Sequence, residues 1–253
     1  MLTEYFEIKS EENILRGIRH ISTKNSDIAY VIVHGYFSSN KIGPHRLYVE
    51  IADFLATNYG DAYRFDLSGM GESDGKISNV KLKNHVSDLR NMIEFLKKRG
   101  YEKIIPVSHC MGCNLTLEIL KEHKEKFPEI IFLAPYFTNE EILKLFFKND
   151  SQLADLYVKG YTYRNGLYTD RSFFLENSFY DNFIKSINEC GYCINIIAAG
   201  SDQFIPFSSN ELLRMNGNDI KFYYIPNADH NFLNSRKELM EKLDSILSDD
   251  FHA

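Results

Sequence analysis

The sequence predicts an α/β domain with a mostly parallel central sheet flanked by helices, and three observations carry that expectation. Short apolar runs alternate with amphipathic stretches along the chain, which is the pattern of successive βαβ units. The 253 residues fit one sizeable domain with at most a small insertion, enough to bury most of the unfolded surface without a disulfide or metal staple. No repeat or low-complexity stretch interrupts the pattern, and proline is sparse. The expectation is a single domain over residues 1–253.

Each element follows from local pattern. Tyr5–Lys9 and Ile14–Ile21 read as an opening strand pair, and Asp27–Val33 (DIAYVIV) as a buried strand that stops at His34-Gly35. Tyr48–Tyr59 places Val49, Ile51, Ala52 and Leu55 at helical spacing. Ala62–Asp66 is a short strand, and Val86–Arg99 is a helix with Leu89, Met92, Ile93 and Leu96 on one face. Lys103–Ser108 is a strand followed by a helix, Gly112–Glu122, with Leu115, Ile119 and Leu120 turned inward. Ile130–Pro135, Cys193–Ala199 and Phe222–Ile225 supply the remaining strands, and Arg236–Leu247 closes the chain as an amphipathic helix.

Residues 137–187 break this rhythm. They are rich in phenylalanine and tyrosine, including Phe146, Phe147, Tyr157, Tyr161, Tyr163, Tyr168, Phe173, Phe174, Phe179 and Tyr180. The stretch reads as a small helical insertion between two strands and is expected to form a lid. The plainer reading is a pair of surface helices whose aromatic residues are core, as aromatic residues mostly are.

Charge and cysteine usage bound the class. The formal net charge is −6 and no arginine-rich run occurs, which argues against a nucleic-acid partner. MLTEYFEIKS has neither a basic nor an apolar leader segment, and runs such as Ile130 to Pro135 are too short to span a bilayer. The expectation is a cytoplasmic protein with no membrane partner. Its four cysteines are then reduced thiols, arranged as two C-x-x-C pairs, Cys110/Cys113 and Cys190/Cys193. Zinc ribbons place such pairs roughly 15–20 residues apart. These two lie much further apart, so no metal is expected.

The chemistry centres on Ser108-His109-Cys110-Met111-Gly112-Cys113. A strand runs in and a helix runs out, the context of a nucleophile elbow of the G-x-S-x-G type. Small residues are needed two before and two after the nucleophile so that strand and helix can approach, and Ser108 and Gly112 fill those places. The centre is Cys110 in place of serine. A helix N-terminus and a neighbouring imidazole both favour a thiolate, which needs less help from a base than a hydroxyl does. A buried free cysteine is the structural alternative.

Two partners follow in order. Asp202 lies just beyond the strand YCINIIAAG, where a carboxylate can accept the Nδ1–H of a histidine and fix its tautomer. His230 lies in the loop after KFYYIP and before the last helix, which completes the chain order nucleophile, acid, histidine. Asp229 is a rival acid, but as the immediate neighbour of His230 it is expected to point elsewhere. The oxyanion hole should use the N–H groups of Met111 and of Tyr36, chosen over Phe37, in the loop after VIVHG. His34 reads as a loop-packing residue.

With HGYFSSN, RFDLSGMGESDG, GSDQFIP and ADHNF beside the elbow, the chain resembles the α/β-hydrolase superfamily over nearly its whole length. It most resembles feruloyl/cinnamoyl-esterase-like and monoacylglycerol-lipase-like members. The resemblance implies the α/β-hydrolase fold, and a structural role for the D-x-x-G-x-G-x-S turn from Asp66 to Ser73. Ser108, Cys110 and Cys113 depart from the usual Gly, Ser and Gly of that elbow, and the cysteine nucleophile is similar to dienelactone hydrolases and polyhydroxyalkanoate synthases. The expected activity is ester or thioester hydrolysis, or acyl transfer, through a Cys110–His230–Asp202 triad and an acyl-thioester intermediate. The partner is a small acyl substrate, which includes a carrier-bound thioester. No cofactor is expected, since no dinucleotide G-x-G-x-x-G opens a helix. A non-catalytic ligand-binding member of the fold and a redox sensor using Cys110 and Cys113 remain alternative readings.

Overall fold

A computed structural model describes residues 1–24, 27–36, 40–122, 127–138, 140–147, 149–164, 166–175, 180–216 and 219–249. In chain order it opens with β1 (Leu2–Ser10), β2 (Asn13–Ile21), β3 (Ile28–Val33), α1 (Leu47–Asn58), β4 (Asp61–Phe65), α2 (Leu82–Lys98), β5 (Lys103–His109), α3 (Gly112–Leu120) and β6 (Ile131–Leu133). It continues with α4 (Glu140–Phe146), α5 (Asp150–Val158), β7 (Tyr161–Arg164), β8 (Leu167–Asp170) and α6 (Tyr180–Cys190). The chain closes with β9 (Ile194–Ala199), α7 (Phe207–Asn216), β10 (Ile220–Ile225) and α8 (Arg236–Asp249).

Eight strands form one sheet in the order β1-β2-β4-β3-β5-β6-β9-β10. β1–β2 and β2–β4 pair antiparallel, and every pairing from β4 to β10 is parallel. The period of two along a strand sends alternate residues to opposite faces. In β3, Ala29, Val31 and Val33 enter the core under α2 and α3, while Ile28, Tyr30 and Ile32 enter the core under α1 and α8. All of β3 and β9 is buried, which is why both read as apolar runs, broken in β9 only by the buried Asn195. α2 is amphipathic, with Leu82, Val86, Leu89, Ile93 and Leu96 buried, and its end passes into Gly100 at φ 89, a conformation that glycine adopts without a Cβ clash.

The segment between β6 and β9 differs from the helical insertion expected. Its described residues form three α-helices, a 3-10 turn at Arg171–Phe173 and the hairpin β7–β8, paired antiparallel from Tyr161↔Asp170 to Arg164↔Leu167. Its aromatic residues divide by type. Phe146, Phe147, Phe173 and Phe174 are buried, Phe146 and Phe174 against Tyr136 and Phe173 against Tyr36, whereas Tyr157, Tyr161 and Tyr163 are exposed. Phe37 and Phe179 lie outside the described residues. α7, between the loop of Asp202 and β10, was not anticipated from sequence.

Among the described residues no helix is long and apolar enough to cross a membrane. Nor does any group of three or more His, Cys, Asp and Glu among them form a metal cradle. The cysteines are all free thiols; Cys113 and Cys190 are buried and Cys193 is exposed.

Candidate active site

Cys110 stands between the end of β5 and the start of α3, with φ 55. A side chain with a Cβ adopts that left-handed conformation only under strain. The surroundings hold it there. Its N–H donates to Leu133 O at 3.0 Å, and its carbonyl accepts from Cys113 N and Tyr136 N, each at 3.2 Å. The small neighbours matter as the sequence requires. A Cβ on Gly112 would lie 2.4 Å from Val33 O and 2.9 Å from His34 O. The Ser108 hydroxyl pairs with Thr116 Oγ1 at 2.7 Å, and the buried Cys113 thiol donates to Ser108 O at 3.3 Å beneath the turn. Cys110 itself is half-buried and lines a cavity of about 560 Å³.

The loop after β9 delivers Asp202. Its Oδ1 accepts from Phe204 N and Ile205 N at 2.7 and 2.9 Å, which fixes the carboxylate before any partner arrives. Its Oδ2 accepts from His230 Nδ1 at 2.7 Å, and the aspartate side chain is fully buried. Asp229 turns away, as its Oδ1 caps the following turn through Asn231 N and Leu233 N. His230 also lies edge-on to Phe204, ring centroids 5.0 Å apart. Burial opposes a charged imidazole here. The negative charge of Asp202 and Cys110, with hydrogen bonding to both, outweighs that cost and raises His230 to about 10. With the Nδ1–H committed to Asp202, Nε2 is the nitrogen left to exchange a proton with Cys110.

The loop after β3 passes directly against the thiol. A Cβ on Gly35 would be 3.0 Å from Cys110 Cβ and 3.4 Å from its Sγ. Tyr36 follows and lines the same cavity. Met111, itself buried, immediately precedes α3 with helical angles, φ −65 and ψ −19, so its N–H lies at the amide end of that helix. The structure thus brings Cys110, Asp202, His230, Tyr36 and Met111 to one place. His34 is held elsewhere: its Nδ1–H donates to Gly35 O at 2.7 Å and its Nε2 accepts from Leu67 N at 3.1 Å. Burial lowers it to about 4, so it packs the loop as a neutral ring. The Asp66 turn is likewise architectural. Its carboxylate accepts from Lys41 N, Lys41 Nζ and Glu72 N at 2.6, 2.6 and 2.8 Å, and Gly71, at φ 53, lacks the Cβ that would strike it.

Sequence reasoning missed His109, Tyr48 and Arg164. His109 is buried and lowered to about 3, first by burial and then by the charge of His230. Its Nε2–H donates to the His230 carbonyl at 2.9 Å, so its Nδ1 accepts from Tyr48 OH at 2.8 Å. Tyr48 OH in turn accepts from Gly35 N at 3.2 Å. One chain of hydrogen bonds therefore joins the Gly35 loop, the elbow and the histidine loop. The position of His109 next to the nucleophile was its only sequence signal. Arg164 reaches the cavity from β7, and Tyr136 and Phe146 line it beside Cys110.

Comparison with known proteins gives the chain a family. No curated protein matches it. Among solved structures it is similar to Est1E from Butyrivibrio proteoclasticus with ferulic acid bound, at 14% identity and TM-score 0.80, covering 98% of this chain and 100% of that one. It is also similar to a putative hydrolase from Agrobacterium vitis S4, at 17% identity and TM-score 0.73, covering 97% and 99%. An esterase from Pyrococcus furiosus aligns at 16% identity and TM-score 0.74, covering 98% and 90%. These likenesses establish the α/β-hydrolase fold. The family model for serine aminopeptidase, S33, matches residues 24–173, a span that contains Cys110 where the family's name implies serine and that ends before Asp202 and His230. Since that match takes in more than half of the chain, the protein belongs to the serine aminopeptidase S33 family of α/β hydrolases.

Proposed function

We propose that the protein is an acyl-transfer enzyme that cleaves an ester or thioester through a Cys110–His230–Asp202 triad, with the β6–β9 segment as its lid. The observation that carries the reading is the strained Cys110, aimed into a cavity it shares with a histidine whose Nδ1 is held 2.7 Å from a buried carboxylate. A structural cysteine would not require a left-handed backbone or a paired imidazole.

In the proposed cycle the Cys110 proton passes to His230, and Sγ attacks the carbonyl carbon. The N–H groups of Met111 and Tyr36 receive the oxyanion. Collapse breaks the bond to the leaving alcohol or thiol, which takes the proton from His230 Nε2. The acyl group remains on Cys110 as a thioester. His230, now neutral, removes a proton from water or another acceptor, which attacks that thioester. The acid, or the acylated acceptor, is released and the proton returns to sulfur. A thioester on the enzyme is more reactive toward amines and thiols than an oxygen ester, so transfer to such an acceptor is part of the proposal.

The test is intact mass after incubation with short and aromatic acyl p-nitrophenyl esters and acyl thioesters. An acyl adduct on the native protein, absent from Cys110→Ala, is expected, with turnover lost by about 10⁵-fold or more in the variant. Added amine or thiol that shortens the adduct's life marks a transferase, and water alone a hydrolase. Equal turnover of native protein and Cys110→Ala would end the proposal.

A further inference from the structure

We propose that the Tyr136 hydroxyl is a specificity determinant that donates a hydrogen bond to an oxygen carried on the acyl chain, so that the preferred donors are oxygenated acyl groups (ether, keto or hydroxy) rather than plain alkyl ones. The inference rests on the acyl-transfer reading and names its substrate class.

Tyr136 follows the end of β6 and sits beside the nucleophile. Its backbone N–H donates to Cys110 O at 3.2 Å, and it lines the cavity together with Cys110. The residue is only 1% exposed. Its ring is edge-on to Phe146 and Phe174, with centroids 5.6 and 6.0 Å apart, and its carbonyl accepts from Asn114 Nδ2 at 2.7 Å. Packing therefore fixes the ring, but it leaves the hydroxyl poorly matched. The oxygen accepts from Thr138 Oγ1 at 3.5 Å, well beyond the usual O–H···O length. The phenol O–H itself meets no acceptor among the described residues. Burying a hydroxyl without a partner is costly, and phenylalanine would fill the same space without that cost. A substrate that brings an acceptor into the cavity offsets it. Burial strengthens the phenol's hold on its proton, and the negative charge of Cys110 adds to that, so the group stays a neutral donor within electrostatic reach of the reacting sulfur.

The ring contacts indicate which part of the substrate it meets. His230 touches Phe204, Phe204 touches Phe146 and Phe146 touches Tyr136, with centroids 5.0, 5.8 and 5.6 Å apart. Two rings thus separate Tyr136 from the histidine that protonates the leaving group. The portion that stays on Cys110 is the acyl chain, and it is the portion left to run along that aromatic wall. Rings alone accept an apolar chain without regard to where an oxygen lies in it, whereas one fixed donor among them selects a position. A tyrosine kept for packing would serve every donor alike.

The experiment uses N-acetylcysteamine thioesters in isosteric pairs: methoxyacetyl with butanoyl, 3-methoxypropanoyl with pentanoyl, and 4-methoxybutanoyl with hexanoyl. Each pair moves the ether oxygen one methylene further from the carbonyl, and dividing by each donor's rate with hydroxide removes its intrinsic reactivity. In native protein kcat/KM is expected to favour the oxygenated member by about 3–10-fold, the scale of one neutral hydrogen bond, and to do so at one depth more than at the others. Tyr136→Phe should bring that ratio to one or below while the alkyl donors keep their rates. It should melt no lower than the native protein, since the ring stays and only a 3.5 Å contact is lost. Native protein that prefers alkyl donors in every pair, or oxygenated donors equally at all three depths, overturns the proposal without any variant having to fold. A ratio unchanged in Tyr136→Phe, or an equal loss for every donor, also overturns it. Intact mass separates this result from the fate of the enzyme reading. Alkyl donors that acylate Cys110 with no oxygen preference leave the acyl-transfer reading standing alone, and the absence of any acyl adduct removes both.

Discussion

The wall of the cavity that carries Cys110 and the wall supplied by the β6–β9 segment are held by different forces. On the first, backbone geometry decides. Cys110 sits at φ 55 between two hydrogen bonds to the end of β6 and its flank, and Gly112 leaves no room for a methyl group. The Gly35–Tyr48–His109–His230 chain ties its loops together. On the second wall, ring packing decides. Tyr36 stacks on Phe173 with centroids 4.3 Å apart, and Phe174 touches Phe146 and Phe147 at 5.5 and 5.1 Å. Ring packing is weakly directional, while a strained turn admits few residues. Substitutions on the first wall should therefore damage turnover, and those on the second should change which donor binds.

The largest effect that tests this contrast is Asp202→Asn. An amide offers His230 a donor as readily as an acceptor, so the imidazole can take the tautomer that no longer accepts the thiol proton. Turnover should fall by about 10²–10⁴-fold with KM little changed, the smaller end reflecting a thiol's lesser need of a base. The pH dependence carries a sign. His230 is raised from 6.5 to about 10, so its folded-state ion pair contributes fully below about 6.5 and is lost as pH rises through 10. Without the carboxylate, burial dominates and that upper limit moves down. A pH–stability profile with the same upper limit in native protein and variant would show that Asp202 does not set the charge of His230.

The first wall was also the more legible in sequence. Cys110, Gly112, Asp202 and His230 could be placed because each sits where a strand ends, and strand ends are readable from apolar runs of β3, β5, β9 and β10. The second wall was not. Its rings read as one helical insertion, although YTYR and LYTD flank Asn165-Gly166, a strong hairpin signal that aromatic density concealed. Which tyrosines faced water and which phenylalanines faced the core depended on contacts distant in sequence, such as Phe174 with Tyr136. His109 and Tyr48 were hidden for the same reason: their hydrogen bonds join loops far apart in the chain.

A middle-sized effect comes from Gly112→Ala set against Gly166→Ala. At Gly112 the new methyl meets two carbonyl oxygens of the backbone, which cannot move without shifting the elbow. At Gly166, φ 78, it meets open space and costs only backbone strain. Overpacking should lower stability by about 1–3 kcal/mol at Gly112, against about 1–2 kcal/mol of left-handed strain at Gly166. Melting temperatures alone would hardly separate the two variants. Turnover should, because an elbow displaced by about 1 Å loses up to about 100-fold, while the hairpin variant retains most of its rate. Comparable losses of turnover in both would erase the distinction between the walls.

The smallest effect probes the seam between them. Tyr36 OH donates to Tyr168 O at 3.3 Å, linking the loop beside Cys110 to β8, while its ring stacks on Phe173. Tyr36→Phe removes that bond and keeps the ring. At 3.3 Å it is a long hydrogen bond, so its loss should cost at most about 0.5–1.5 kcal/mol. If the walls act independently, the change appears as a shift of KM of up to about threefold, with the acylation rate of Cys110 intact. If instead the acylation rate falls while KM holds, the bond positions the Tyr36 N–H for the oxyanion, and the β6–β9 segment takes part in chemistry as well as in selection. Pre-steady-state acylation, read by the burst of p-nitrophenol, separates the two outcomes because it measures the first chemical step apart from release.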